Sequence, residues 1–278
     1  MNATQKTIKY LAIAFAAFLA FTIIAAIGGA ASALIQALSG IETEETKDFS
    51  QSYEDVESIY IDGYIYNIKV VEGDTFHVDF NNVSEKYKSF VTGNTLKLEY
   101  DGFGLGWFSW ITGETNPGKP GEVTITVPSD FKAKTFRIDA GTGSIEFDNI
   151  NTQLLDIDAG TGSINGNNIK ADEADIDCGV GSIDLSNAFL NDTKVDCGTG
   201  NVTINGALTG KNEIDGGIGN INLTLAGTQD DYNIDVDSGM GDVSINGENY
   251  SDVTWDNSTA DNSLEIDGGV GNINIDFE

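Results

Sequence analysis

The sequence predicts an all-β protein, a right-handed parallel β-solenoid (β-helix) with coils of about 19 residues, preceded by one N-terminal transmembrane helix. Two observations predict the solenoid. The motif Ile/Val-Asp-x-Gly-x-Gly-x-Ile/Val occurs seven times between Ile138 and Ile273, and apolar and polar residues alternate on both sides of it. A repeat near 20 residues is typical of stacked structural units, and alternation is typical of β-strands. A long uncharged apolar stretch near the N-terminus predicts the helix.

The N-terminal region predicts a membrane anchor. Lys6 and Lys9 lie in residues 1–9, and the next charged residue is Glu42. Residues 10–38 are long enough to cross a hydrocarbon core of about 30 Å as a helix. Lysines before the helix and acidic residues after it place residues 1–9 in the cytoplasm and the remainder outside the cell. The alternative is a signal peptide cleaved after the small residues Ala31-Ser32-Ala33.

Residues 39–137 connect this helix to the regular repeats. Residues 39–58, rich in Glu, Thr, Ser and Lys, predict a polar linker. Residues 59–137 alternate without the 19-residue register, and Ile61-Asp62-Gly63 resembles a degenerate first copy of the motif. We therefore expect irregular N-terminal β coils that cap the first regular coil, because the open end of a solenoid exposes strand edges.

Residues 138–278 predict the regular solenoid. Each copy of the motif reads as two strands joined at a Gly-x-Gly corner, where glycine allows backbone angles that other residues resist. A third apolar position later in each copy indicates a short further arc. The first four intervals between copies are 19 residues and the last two are 22 and 30, which indicates loops such as 247–262. The first glycines of the corners are Gly141, Gly160, Gly179, Gly198, Gly217, Gly239 and Gly269.

The charge of the chain limits its partners. It has 44 acidic and 14 basic residues, for a net charge of −30, and the region from Ile138 onward holds 27 acidic and three basic residues. Such a surface repels nucleic acids and anionic lipids and attracts cations and basic partners. The composition therefore excludes a nucleic-acid-binding function.

The aspartates of the motif are the main candidate site. If the coils stack in register at about 4.8 Å, these aspartates form a ladder of like charges that needs compensation. One interpretation is that each carboxylate accepts hydrogen bonds from the N–H groups of its own corner. The other is a row of Ca²⁺ or other divalent cations, the only cofactor that the sequence suggests. The ladder consists of Asp139, Asp158, Asp177, Asp196, Asp215, Asp237 and Asp267.

Three other features of the sequence are candidate functional sites. Cys178 and Cys197 occupy the same small position of consecutive copies, as two buried thiols or, with poor geometry, a disulfide. Trp107, Phe108 and Trp110 lie in a glycine-rich aromatic segment that either packs over the solenoid end or contacts a membrane or a partner. His77 is the only histidine and lies in an alternating strand, which favours a solvated residue over a catalytic base.

The repeats resemble the bacterial putative-adhesin family of β-strand-repeat proteins, domain of unknown function 4097. The resemblance covers about residues 59–278 and is carried by Ile61-Asp62-Gly63, a strand ending at Val127-Pro128 and the Asp-x-Gly-x-Gly repeats. It implies a β-repeat fold and an exported protein. Several members of the family resemble components encoded with cell-envelope stress sensors. The family offers no catalytic residues to carry over.

The sequence therefore predicts a non-enzymatic, single-pass membrane protein whose extracellular solenoid acts in cell-envelope binding, adhesion or the envelope-stress response. Its expected partners are the membrane, through the N-terminal helix, and a protein or polysaccharide of the envelope. One alternative is an adhesive stalk stabilised by Ca²⁺, and another is a carbohydrate-active β-helix enzyme. Uniform acidic residues in every coil favour a binding role over an active site, which is a single asymmetric place.

Overall fold

The protein is described by a computed structural model that covers residues 46–63, 66–101, 121–257 and 259–278. The described residues form 19 β-strands and a single 3₁₀ turn, Gln229–Asp231, which confirms the all-β class. No helix in these ranges is long and apolar enough to cross a membrane. The predicted transmembrane helix 10–38, the cytoplasmic residues 1–9 and the aromatic residues Trp107, Phe108 and Trp110 lie outside the described residues.

The centre of the molecule is a stack of parallel coils with the predicted 19-residue offset. Ile157 pairs with Ile138 of the preceding coil and with Ile176 of the next, and Val195 continues the column. The strands of this stack are β8 (Ala133–Thr142), β9 (Ile145–Thr161), β10 (Ile164–Val180), β11 (Ile183–Thr199) and β12 (Val202–Ile218). Such an open parallel stack fits a β-solenoid.

Each coil has three sides. In β10 the alternation of buried and outward residues is interrupted at 167–168, at 172–173 and again after Cys178. We call 164–167 the first side, 169–171 the second side and 174–178 the third side, and we use the same names in the other coils. The bend between the first two sides requires a left-handed residue, and Asn168 supplies it with φ 53°. At the Gly-x-Gly corner the second glycine has φ near 150°, and a Cβ on Gly181 would overlap the carbonyl oxygen of Gly162 in the neighbouring coil.

The core is a set of aliphatic columns inside the coils. Ile138, Ile157, Ile176, Val195 and Ile214 stack with 0–1% of their surface exposed. Burial of each such side chain contributes about 1.5–3 kcal/mol relative to leaving it in water. This repeated inward position explains why every copy of the motif begins with Ile or Val.

At the C-terminal end, the order of the coils in space differs from their order in the sequence. Ile266 pairs with Ile214 on one side and with Val236 on the other, and Ile273 lies between Ile221 and Val243. The last copy of the motif is thus inserted between the fifth and the sixth. The strands concerned are β13 (Ile221–Leu225), β14 (Tyr232–Asp237), β15 (Val243–Ile245), β18 (Asn262–Val270) and β19 (Ile273–Phe277).

The N-terminal end uses the same arrangement. Ile61 pairs with Ile138 on one side and with Leu98 on the other, so residues 58–63 and 66–73 belong to a coil directly before the regular stack. The chain then leaves this coil, builds the next one outward and returns past it to Ala133. The strands are β2 (Ser58–Asp62), β3 (Asn67–Gly73), β6 (Thr95–Tyr100) and β7 (Glu122–Pro128).

Antiparallel strands cover both ends of the stack. At the N-terminal end β4 (Phe76–Ser84) pairs with β7, β5 (Tyr87–Thr92) pairs with β6, and β1 (Thr46–Tyr53) pairs with β4. At the C-terminal end β16 (Glu248–Tyr250) pairs with β15 and β17 (Val253–Trp255) with β14. Residues 46–53 thus form a strand inside the predicted polar linker 39–58. The physical reason is that Phe49 stacks on Phe80 at 5.9 Å and Tyr53 is buried.

Candidate functional site

The third sides of the coils carry one continuous row of aspartates, which we call the aspartate ladder. Each of its members is the register partner of the next, at a spacing of about 4.8 Å between strands. All seven predicted residues belong to it, together with Asp62, whose position follows from the degenerate copy Ile61-Asp62-Gly63. In spatial order the ladder runs Asp62, Asp139, Asp158, Asp177, Asp196, Asp215, Asp267 and Asp237.

A second charged column runs beside the ladder, two residues earlier in each coil, and it is also mainly acidic. Arg137 forms an ion pair with Asp156 at 2.8 Å, and Lys194 is the only other cation in the column. The column consists of Arg137, Asp156, Asp175, Lys194, Glu213, Glu265 and Asp235. The two columns together make the third side strongly negative.

Partial burial and like-charge repulsion raise the pKa of two members of the ladder. Partial burial raises the pKa of Asp177, and Asp175, Asp196 and Asp158 raise it further. The pKa of Asp215 is raised by partial burial and by Glu213, Asp196 and Asp267. Lys194 opposes both shifts without cancelling them. Ionised carboxylates are therefore held in the ladder at a cost in free energy.

The Gly-x-Gly corners do not relieve this repulsion as one interpretation of the sequence predicts. Within the described residues, Asp237 is the ladder member from Asp139 onward that accepts a hydrogen bond from its own corner, at 3.0 Å from the N of Gly239. At other corners, a side chain from the neighbouring coil accepts the hydrogen bond from the corner N–H instead. The N of Asn220 donates to Oδ1 of Asn201, and the N of Asn272 donates to Oδ1 of Asn220, both at 2.9 Å.

The cation interpretation of the ladder remains a prediction. In the ranges that the structure describes, no group of three or more His, Cys, Asp or Glu side chains converges as a metal site would require. A cation between two coils would meet one carboxylate from each coil and would take its other ligands from water. Such a site would be weak and repeated along the ladder.

A partly apolar column of outward side chains borders the ladder at the middle residue of the Gly-x-Gly corners. Val180, Ile218 and Val270 are 51%, 48% and 40% exposed, and Met240 bridges to Val270 at the end of the row. Threonines fill the same position in three other coils, at Thr142, Thr161 and Thr199. We call this row the corner ridge. Sequence reasoning missed it, although the variable residue between two invariant glycines was its signal.

The two cysteines are buried thiols in adjacent coils. Cys178 and Cys197 are register partners, both are unbridged, and each lies 3.5 Å from a glycine carbonyl oxygen that accepts its S–H. The neighbouring Cys197 thiol, together with burial, raises the pKa of the Cys178 thiol well above its ordinary value. These thiols pack the core and are not placed as nucleophiles.

His77 lies in a polar group on the outermost strands of the N-terminal end. Its Nε2 is 2.7 Å from Oγ of Ser50 and 3.3 Å from Oδ1 of Asp79, and its Nδ1 is 2.9 Å from Oγ of Ser52. The Oγ of Ser50 also donates to Oδ1 of Asp79 at 2.8 Å. Ser50 and Ser52 lie on β1, whereas His77 and Asp79 lie on β4, so these hydrogen bonds join the two strands.

One protein family and several solved structures resemble this chain. The family model described as Toastrack DUF4097 matches residues 56–276. A putative adhesin from Bacteroides fragilis is 16% identical and covers 84% of this chain and 98% of its own, with a TM-score of 0.46. A putative cell adhesion protein from Clostridium sporogenes is 17% identical and covers 84% of this chain and 100% of its own, with a TM-score of 0.38. A putative lipid binding protein from Parabacteroides distasonis is 12% identical and covers 83% of this chain and 96% of its own, with a TM-score of 0.26. No curated protein matches the chain.

Proposed function

This chain belongs to the Toastrack DUF4097 family, and we propose that it is a non-enzymatic binding module of the cell envelope. In this proposal the helix 10–38 anchors it in the cell membrane, the N-terminus is cytoplasmic and the solenoid lies outside the cell. The solenoid presents the aspartate ladder to a basic partner, in adhesion or in the response to envelope stress.

The aspartate ladder is the observation that supports this proposal. Its charges repeat once per coil along the whole stack, so they act together as an extended negative surface, not as a local site. A surface of one sign attracts an oppositely charged partner over about a Debye length, roughly 8 Å at physiological salt. A partner with an extended basic surface would also lower the like-charge repulsion that, after partial burial, raises the pKa of Asp177 and Asp215. The basic charges of the partner would therefore both attract it to the ladder and lower the repulsion between the ladder carboxylates.

The corner ridge adds an apolar component to the same surface. Val180, Ile218 and Val270 stand three residues beyond the ladder positions of their coils, and all three are exposed. Burial of apolar surface contributes about 25 cal/mol per Å² to the free energy of binding, in addition to the attraction between charges. We therefore propose a partner protein of the envelope that presents basic side chains beside an apolar strip.

A Ca²⁺-stabilised stalk is the second candidate, and the raised pKa of Asp177 and Asp215 favours it. Carboxylates that repel one another are stabilised when a cation lies between them. On this alternative the ladder would be a mechanical element, and adhesion would depend on extracellular calcium. Calcium would then stabilise the fold, whereas a basic partner would not need it.

The proposed binding is tested by removal of ladder charge against a matched control. We would change Asp158, Asp177, Asp196 and Asp215 to Asn in one full-length variant, reconstituted in phosphatidylcholine nanodiscs. The control changes four outward acids of the first sides, E122Q, E146Q, D184N and D276N, so that both variants lose four negative charges. The probe is a fluorescent ten-lysine peptide, followed by anisotropy at 50 and 500 mM NaCl.

The expected result is that the ladder variant binds the peptide at least tenfold more weakly at 50 mM NaCl, while the control stays within threefold of the natural protein. The difference should shrink at 500 mM, where screening is strong. Equal weakening of both variants would show that net charge alone attracts the peptide and would refute a binding role for the ladder.

The proposed anchor has its own test. An uncleaved chain should be found in the membrane fraction with the full mass of 29.6 kDa. A protein in the medium that lacks residues 1–33 would instead establish the signal-peptide alternative.

A further inference from the structure

The C-terminal end of the solenoid holds a cleft that neither the ladder nor the corner ridge explains. Its volume is about 520 Å³, within the size range of small-molecule sites. One wall is the corner of β14–β15 and the other is the segment that joins β16 to β17. The residues that matter here are Ser238, Asp242, Asn249, Tyr250 and Asp252.

Contacts made by its own lining residues fix the two walls of the cleft against each other. The buried Ser238 donates its Oγ hydrogen to the carbonyl oxygen of Ser251 at 3.0 Å, which fixes the β16–β17 connection against the corner. Tyr250 packs partly against the core, and its hydroxyl donates to Oε2 of Glu248 at 3.2 Å. The walls are therefore positioned without a ligand, as preformed sites are.

The backbone of the corner at this coil differs from that of the other corners. Gly239 has φ 56°, whereas the other corners place the left-handed angle at the second glycine. The N of Gly239 donates to Oδ1 of Asp237 at 3.0 Å. After this corner the chain continues into β15, and β15 pairs with β16, which brings the β16–β17 segment beside the corner.

The polar groups of the cleft suit a hydroxyl-rich ligand. Among the described residues, neither the exposed Asp242 carboxylate nor the exposed Asn249 amide has a hydrogen-bond partner for its side chain. The carboxylate offers acceptors, and the amide offers both a donor and acceptors. Tyr250 adds an aromatic ring beside them. A planar amide, a carboxylate and an aromatic surface can together bind the hydroxyl groups and the apolar face of a pyranose ring.

We propose that this cleft binds a saccharide that carries a protonated amine, such as a glucosamine unit of an envelope polysaccharide. Asp242 and Asp252 both line it, so a positive charge on the ligand is favoured over a negative one. The inference rests on the proposed envelope-binding role, since it names a second ligand of the same extracellular module.

The test uses the full-length protein in nanodiscs, with tetraglucosamine as the probe, followed by isothermal titration calorimetry at pH 5.5. Tetra-N-acetylglucosamine, which lacks the charge, and 1,4-diaminobutane, which lacks the hydroxyl groups, are the comparison ligands. The variants are D242N and N249A, each at an exposed position. The matched controls are D184N and N151A, at exposed positions of other sides of the solenoid.

We expect tetraglucosamine to bind at least tenfold more tightly than either comparison ligand, and D242N and N249A each to weaken it at least fivefold while D184N and N151A do not. Two results would overturn the inference. One is no binding of tetraglucosamine by the natural protein. The other is binding that diaminobutane matches or that the cleft variants leave unchanged. The ten-lysine peptide, measured in parallel, reports on the ladder separately, so loss of one activity is distinguishable from loss of the other.

Discussion

Replacement of Asp177 by Asn should stabilise the protein, although it removes a side chain that recurs in every coil. Asp177 lies between Asp158 and Asp196 in the ladder. Two unit charges about 4.8 Å apart interact with about 0.9 kcal/mol in water, and screening at 0.15 M salt reduces this to about 0.5 kcal/mol. Two neighbours therefore contribute about 1 kcal/mol of repulsion, less where the carboxylates turn apart. We expect D177N to gain about 0.5–1 kcal/mol.

Asp184 provides the matched control. It is exposed on the first side of a coil, and its register partners are the neutral Asn165 and Thr203. The same Asp-to-Asn change there relieves no neighbouring charge, so D184N should leave stability unchanged within about 0.3 kcal/mol. The two variants have equal net charge, so any difference between them reports the position and not the total charge.

The assay is thermal unfolding followed by circular dichroism, at pH 7 and 0.15 M NaCl, with the full-length chain in detergent micelles. A gain of 0.5–1 kcal/mol corresponds to a rise in Tm of about 1–4 °C for a domain of this size. The rise should diminish at 1 M NaCl, where the Debye length is about 3 Å.

The pH dependence gives an independent check of sign. The folded-state pKa of Asp177 lies above its ordinary value of 3.8, so the folded protein takes up the proton more readily than the unfolded chain. The associated stability is fully present below pH 3.8 and is lost as the pH rises through the raised pKa. The advantage of D177N should therefore vanish below pH 3.8 and grow above it. A D177N variant less stable than D184N at pH 7 would refute the reasoning and would mean that the carboxylate has a stabilising partner.

Three further outcomes are expected. Addition of 1 mM CaCl₂ after EDTA should change Tm by no more than the same concentration of MgCl₂ does, because cations only screen the ladder; a rise specific to calcium of several degrees would establish the stalk alternative. G200A should lower Tm by more than 10 °C or prevent folding, because a Cβ there would overlap the carbonyl oxygen of Gly181. G93A is the control, at a left-handed glycine whose added Cβ would meet no atom within 4 Å, and it should lower Tm by only a few degrees. Equal effects of the two changes would contradict the close stacking of the coils. Cys178 and Cys197 should react with a thiol reagent at pH 8 only after addition of urea, because both are buried; rapid labelling of the native protein would show that the coils open locally.

Much of the site could be predicted from the sequence because the solenoid repeats a local pattern. The alternation around each Gly-x-Gly corner determines which residues face inward, and the 19-residue period determines which residues of successive coils pair. Asp139, Asp158, Asp177, Asp196 and Asp215 therefore fall into one column as predicted. The buried position of Cys178 and Cys197 follows from the same period.

The hydrogen bonds of the corners could not be predicted in the same way. The sequence places an aspartate two residues before the first glycine and a Ser or Asn after the second, and both are plausible acceptors for corner N–H groups. The structure selects the second set, as in the bond from Asn220 to Asn201, because the Ser or Asn side chain points along the stack toward the next coil. The ladder carboxylates from Asp139 to Asp215 instead point outward from the coils.

The sequence by itself determined the β class, the 19-residue coil, the inward columns and the acidic character of one face, because each depends on a short local pattern. Only the tertiary structure decided the order of the coils at the two ends. Every copy of the motif has the same apolar pattern and could pair with any other, so the pattern cannot say which copies are neighbours. The connections decide it. The turn at 226–231 carries the chain past one coil position, and the C-terminal strands then fill that position, with β18 between β12 and β14 and β19 between β13 and β15. That arrangement leaves the sixth corner beside the β16–β17 segment, and it thereby creates the cleft at Asp242 and Tyr250.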